Sequence, residues 1–178
     1  MLEKVGCQVV HVRTVADLDS VQALVIPGGE SSVMDKLCRI FGLRDILREK
    51  IKAGLPVFGT CAGLIMLADE ISDTAPGQET LGGLDVVVQR NAFGSQLDSF
   101  ECLLDVPALN MPDSKAVFIR APIITKAGKN ATVLAEHNGK IVAARQGNLL
   151  GISFHPEMTD DTRWHEYFVR EIVSPALG

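Results

Sequence analysis

The sequence has no run of basic residues, no spaced cysteine pair, no long apolar stretch and no low-complexity linker, and each absence removes a class of protein. Seventeen Lys and Arg against 22 Asp and Glu leave a net charge of −5. No local cluster of positive charge overrides it, so a nucleic-acid backbone is not an expected partner. The four cysteines, Cys7, Cys38, Cys61 and Cys102, stand at no metal-ligand or redox spacing, a usage that fits a reducing, cytoplasmic compartment. The start, Met1-Leu2-Glu3-Lys4, carries no signal-peptide core, and nothing approaches the roughly 20 apolar residues of a membrane-spanning helix. With no repeats, the 178 residues read as one domain, 1–178. A chain of that length buries about 70% of its unfolded surface.

What is present centres on Gly54-Leu55-Pro56-Val57-Phe58-Gly59-Thr60-Cys61-Ala62-Gly63-Leu64-Ile65-Met66-Leu67. A short apolar run meets two small residues, a cysteine, two more small residues and a helical apolar run. This pattern predicts a buried strand turning sharply into a helix, with Cys61 at the corner. Gly59 and Gly63 are expected where a Cβ would crowd the turn or the facing strand. At a helix N-terminus the dipole and unpaired N–H groups favour a thiolate and can hold an oxyanion. A lone cysteine at a strand end is as often a small buried hydrophobe. Downstream, Phe154-His155-Pro156-Glu157 follows the apolar run Leu149 to Phe154. It supplies what a cysteine nucleophile requires, a base and an acceptor that orients the base.

Taken in order, Leu2-Glu3-Lys4-Val5 reads as a helix tail stopped by Gly6. Strands are predicted at Cys7–Val12 and Val21–Ile26, parallel to each other. After Pro27-Gly28-Gly29, Ser31 or Ser32 is expected to cap a helix. Val33, Leu37, Ile40, Leu43, Ile46, Leu47 and Ile51 keep a helical period broken near Gly42. Beyond the Cys61 unit and a glycine-marked loop from Thr74, strands are predicted at Asp85–Arg90, Phe100–Val106 and Lys115–Arg120. A hairpin over Thr132–Glu136 and Lys140–Ala144 turns at Asn138-Gly139. Asp160 or Asp161 is expected to cap a closing helix through Trp164, Phe168 and Ile172. Strands alternating with helices imply an α/β fold of three layers, a mostly parallel sheet covered on both faces, with an antiparallel extension. Ligands of such sheets bind beyond the carboxyl ends of the strands, where 27–31, 59–63 and 153–157 all fall. His11, His137 and His165 are read as structural or surface residues.

Gly59-Thr60-Cys61-Ala62-Gly63 with a distant His155-Pro156-Glu157 resembles the triad (class I) glutamine amidotransferases, whose fold is flavodoxin-like. A finer resemblance is to the glutaminase-subunit family of pyridoxal 5′-phosphate synthases. It is carried by Pro27-Gly28-Gly29-Glu30-Ser31, Phe58–Leu64, Arg90-Asn91-Ala92-Phe93-Gly94, Asp98-Ser99-Phe100-Glu101, Phe118-Ile119-Arg120-Ala121-Pro122, Ile141–Gly147 and Ser153–Glu157. These cover the chain almost end to end, in order.

The resemblance implies that Cys61 attacks the side-chain amide of L-glutamine, that His155 is base and then acid, and that Glu157 holds the imidazole tautomer. It assigns glutamine binding to Gly29, Glu30, Ser31, Arg90, Ile119 and Arg120, and the oxyanion hole to Gly28, Gly29 and Ala62. It implies no metal or organic cofactor, and a partner, a barrel-shaped synthase subunit that receives the ammonia. Ser95 stands where relatives usually carry arginine. Relatives also begin with a further apolar strand and most of a helix, so the chain is expected to be N-terminally short, through a misplaced start or a truncation. Two alternatives accompany this function: a glutaminase of another pathway, such as histidine biosynthesis, and a catalytically impaired protein that only docks on the synthase.

Overall fold

Hydrophobic pairing across one mixed sheet organises the chain, in a computed structural model that describes residues 1–92 and 99–178. The sheet order is β1 (Leu24–Ile26), β2 (Val57–Thr60), β10 (Leu149–Ile152), β9 (Lys140–Gln146), β7 (Ile123–Ala127), β4 (Leu84–Gln89) and β3 (Ala68–Ile71), with β8 (Thr132–His137) paired to β9. β1, β2 and β10 run parallel, as do β3 and β4, while β7, β8 and β9 pair antiparallel. A separate antiparallel ribbon joins β5 (Ser99–Val106) to β6 (Met111–Ile119).

Alternation along the strands divides the core between the two faces. Val57 and Leu149 point into a cluster with Leu64, Leu67, Leu47 and Ile51, from α4 (Ala62–Leu67) and α3 (Arg44–Lys52). Phe58, Leu150 and Ile152 point the other way, against Phe118, Phe154, Trp164 and Phe168. Trp164 stands in the first turn of the closing helix, α5 (Arg163–Tyr167), which continues through a π-helical turn, Phe168–Val173, into α6 (Ser174–Leu177). Pro175 lacks the N–H that would reach the Glu171 carbonyl, and Arg145 Nη2 donates to that oxygen at 3.2 Å. The three layers and the antiparallel extension are those expected.

Several local expectations hold for the expected reasons. Gly6 ends a short 3₁₀ turn, Leu2–Val5, in a left-handed conformation. Gly42, also left-handed, separates α3 from α2 (Ser31–Ile40). Asn138 and Gly139 both have positive φ in the β8–β9 turn.

Others are corrected. Cys7–Val12 forms no strand; it runs exposed, and a cavity of about 570 Å³ lies between it and β1, lined by Val10, Val12, Leu24, Val25 and Phe168. Pairing needs a neighbour within about 5 Å, and no strand among the described residues pairs with this segment. Between this segment and β1, Val15–Asp19 forms a short helix, α1, closed at its start by a capping box of Thr14 and Asp17. Only Leu24–Ile26 of the predicted 21–26 strand pairs, through β2. The helix α2 is capped by the Glu30 carboxylate, which accepts from Ser32 N and Val33 N, and not by Ser31 or Ser32. Thr162 occupies the cap position of α5, while Asp161 accepts from Arg163 N and Asp160 pairs with Lys115. The strands β3 and β7 were not foreseen, because Ala68–Ile71 continues the helical apolar run and Ile123–Ala127 is short. Val33, Leu37 and Ile40, counted among apolar helix positions, are 50%, 45% and 64% exposed and form an outward stripe with Phe41.

Candidate active site

Cys61 caps α4 at the end of β2 with φ +50°, a left-handed backbone that a non-glycine residue adopts only when its surroundings impose it. Its N–H is tied to the Ile152 carbonyl of β10 at 2.9 Å. The two flanking glycines make the corner feasible. A Cβ on Gly59 would stand 2.4 Å from the Gly63 carbonyl group, and one on Gly63 would stand 2.0 Å from the Ile26 carbonyl oxygen. Backbone thus approaches backbone on both sides of the cysteine, as expected from the sequence. Ala62 follows as the first helical residue, so its N–H has no acceptor within α4.

β10 leads directly into His155. The His155 N–H donates to the Val117 carbonyl of β6 at 2.8 Å, which fixes the turn. The imidazole Nδ1 lies 2.7 Å from Glu157 Oε1, and the Cys61 side chain lies close enough to the ring to act on its protonation. The contact with Cys61, followed by that with Glu157, raises the His155 pKa to about 10. The Glu157 carboxyl is lowered overall: burial opposes ionisation, but the hydrogen bond from His155 and the charge on the ring outweigh it. A Cβ on Gly28 would stand 2.3 Å from the His155 ring. The Gly28-Gly29 backbone therefore packs directly on the imidazole, and Gly29, at φ +154°, adopts a conformation L side chains rarely take.

The remaining residues gather around this centre less directly. Glu30 holds its carboxylate on the N-terminus of α2, and hydrogen bonding from the Ser32 side chain lowers its pKa. Ser31 is 2% exposed, and its hydroxyl accepts from Gln78 Nε2 at 2.9 Å. Arg90 is not a free rim charge. Its Nη1 donates to Gln78 Oε1 at 3.2 Å, and its guanidinium faces Asp73 at 3.8 Å and Glu30 at 4.0 Å. Ile119 ends β6, two residues beyond the Val117 carbonyl that receives His155. Arg120 follows with φ +42°, exposed, with no partner for its guanidinium among the described residues. A bond from Ala92 N to Ala121 O ties the turns carrying Arg90 and Arg120. Ser95, with Phe93, Gly94 and Asp98, lies outside the described residues.

Gln78 and Asp73 escaped the sequence because their partners lie far along the chain and the loop has no motif. His165, read as a structural or surface residue, is 4% exposed against Phe58 with Nδ1 unpaired, and burial pushes its pKa down to about 4. His137 stacks on Phe100 and Phe118, a structural place. Among the described residues no cluster of His, Cys, Asp and Glu could hold a metal ion. No helix among them is long and apolar enough to cross a membrane.

A cysteine at a strand–helix corner, with a histidine and a carboxylate at the end of the adjoining parallel strand, is a triad arrangement on a doubly covered α/β sheet. Comparison with known proteins narrows the class. A family model described as the SNO glutamine amidotransferase family matches residues 1–174. The chain is 57% identical to the pyridoxal 5′-phosphate synthase subunit PdxT of Leifsonia xyli subsp. xyli, over 97% of this chain and 87% of that one. It is 58% identical to the subunit of the same name from Clavibacter sepedonicus, over 95% and 81%. A crystal structure of a glutamine amidotransferase superposes with a TM-score of 0.90 at 44% identity, covering 97% of this chain and 90% of the other. The chain belongs to the SNO glutamine amidotransferase family.

Proposed function

We propose that this protein is the glutaminase subunit of a pyridoxal 5′-phosphate synthase, hydrolysing L-glutamine to L-glutamate and ammonia. The observation that carries the chemistry is the relay from Cys61 through His155 to Glu157, with Nδ1 held 2.7 Å from the carboxylate. The identity of 50–58% to relatives of that name supports the pathway.

Cys61 Sγ attacks the side-chain amide carbon of glutamine. The tetrahedral oxyanion is met by the N–H groups of Ala62 and of Gly28 or Gly29. Raised to about 10, His155 is a strong enough base to take the proton of the attacking thiol, and as the imidazolium it gives the departing amine the proton it needs. Loss of ammonia leaves a γ-glutamyl thioester. A water then gives its proton to the neutral imidazole and attacks the thioester carbonyl, which releases glutamate and restores Cys61 and His155 for the next turnover. Glu157 keeps Nδ1 protonated and Nε2 directed at sulfur. Arg90 and Arg120 offer cations to the α-carboxylate, and Glu30, Ser31 and Ile119 shape the site around the head group.

Ammonia is useful only to an acceptor, which points to the synthase subunit as partner. The exposed stripe of Val33, Leu37, Ile40 and Phe41 lies on and just beyond α2, the helix that begins at Ser31. Apolar patches of this kind mark interaction surfaces. Four cysteines without a disulfide fit a cytoplasmic setting. The test is ammonia release from glutamine by the chain with its synthase subunit, before and after Cys61→Ala. Turnover that survives the substitution would overturn the assignment.

A further inference from the structure

Gln78 belongs to no motif, yet its side chain is bonded at both ends and only 7% of the residue is exposed. Nε2 donates to Ser31 Oγ and Oε1 accepts from Arg90 Nη1. Because guanidinium can only donate, the amide oxygen must face Arg90, which leaves the amide nitrogen for the serine. The loop that carries Gln78 is itself clamped. Gln78 N donates to the Ala75 carbonyl, and Glu79 N donates to Asp35 Oδ2 of α2 at 3.1 Å. Glu79 Oε2 meets Arg44 and Arg48 of α3, and Arg48 Nε reaches the Thr80 carbonyl. The amide is therefore held by its own loop while it joins the first residue of α2 to the end of β4.

Arg90 sits between two carboxylates, Asp73 and Glu30, at 3.8 and 4.0 Å. Left to them, it would close onto one as an ion pair, and its charge would be lost to an incoming carboxylate. A neutral acceptor on Nη1 holds the guanidinium without neutralising it. We propose that Gln78 is a positioning residue of the glutamine site, fixing the Arg90 guanidinium and the Ser31 hydroxyl relative to each other while leaving the arginine charge available to the substrate α-carboxylate. The inference rests on the reading that Arg90 and Ser31 bind glutamine.

A purely structural role and this one separate at Gln78→Glu. That variant keeps the shape and can keep both hydrogen bonds, with Ser31 as donor, but it neutralises Arg90. Gln78→Leu removes both bonds. Glutamine KM and kcat are measured with the synthase subunit present for these variants and for Arg90→Ala, alongside the rate at which iodoacetamide alkylates Cys61. Both Gln78 variants are expected to raise KM about tenfold or more with kcat within about threefold, the pattern of lost uniform binding, and to leave alkylation unchanged. Unchanged KM in Gln78→Glu beside a raised KM in Arg90→Ala would overturn the role of Gln78 alone. A parallel fall in kcat and alkylation in Gln78→Glu would show a merely structural residue and overturn it too. Unchanged KM in Arg90→Ala would defeat the glutamine-site reading, and this inference with it.

Discussion

Among the described residues, Cys61 is the one thiol beside a histidine that is itself bonded to a carboxylate; the histidine beside Cys102, His137, meets the Asn138 amide instead. Burial raises the pKa of Cys38, with the Asp35 charge adding to it, and burial raises that of Cys102. A glutamine-like electrophile should therefore label Cys61 stoichiometrically and spare Cys7, Cys38 and Cys102. Mass spectrometry of the labelled chain decides this, and even labelling over four sites would contradict it. The histidines predict opposite pH effects. His155 is raised to about 10 in the fold, so its contribution to stability is complete below about pH 6.5 and is lost as pH climbs through 10. His165 is lowered to about 4, so the native state resists the proton that the unfolded chain takes up, and stability drains away between about pH 6.5 and 4. In thermal melts across that range, His165→Phe should lose less stability on acidification than the wild-type chain. Parallel curves would mean that His165 does not titrate as its burial requires.

The corner between β2 and α4 is the most constrained element, because two backbone segments close on it. Gly63→Ala would push a methyl against the Ile26 carbonyl oxygen of β1, and neither side can yield without moving a strand. A cost of at least about 3 kcal/mol is expected, the upper end for overpacking, read as a lower midpoint in urea. Gly77→Ala, where an added Cβ meets nothing within 4 Å, is the comparison. Its own positive φ still costs about 1 kcal/mol, a strain Gly63 does not carry, so any excess loss in Gly63→Ala over Gly77→Ala reports the close approach. At this level the sequence was informative about Gly59, Cys61 and Gly63, since few backbone shapes require small residues at that spacing around a cysteine. It was uninformative about Glu30, whose capping bond competes with that of the neighbouring serines, and about the Cys7–Val12 segment, whose alternation fits a strand that finds no partner.

Across the whole molecule, the site is assembled from the ends of β1, β2, β4, β6 and β10, so any looseness among these elements reaches the chemistry. β1 pairs on one side only, and the cavity beyond it lies beside Pro27, next to the Gly28-Gly29 backbone that packs on His155. Residues 1–178 alone are therefore expected to be a poor glutaminase, with ammonia release rising on addition of the synthase subunit. One misdirected oxyanion donor suffices to hold the rate down several hundred-fold, about 3–4 kcal/mol. Full activity of the isolated chain would refute this dependence.

The grouping of Cys61, His155 and Glu157 and the glycines that admit it could be read from residue types, because a nucleophile, a base and an orienting acid are required together by chemistry and each sits in a short local pattern. The alternation that makes an α/β sheet was equally local. The destination of the two arginines was not. Arg90 looks the same in the sequence whether it is solvated or bonded to Gln78, and the difference depends on contacts between segments 12 and more residues apart. The same is true of His165, whose burial under Phe58 no pattern near it reveals. A strand's alternation says which face would be buried but not whether a second strand lies alongside to accept its hydrogen bonds. The fate of Cys7–Val12 was therefore settled by its neighbours in space and not by its own composition.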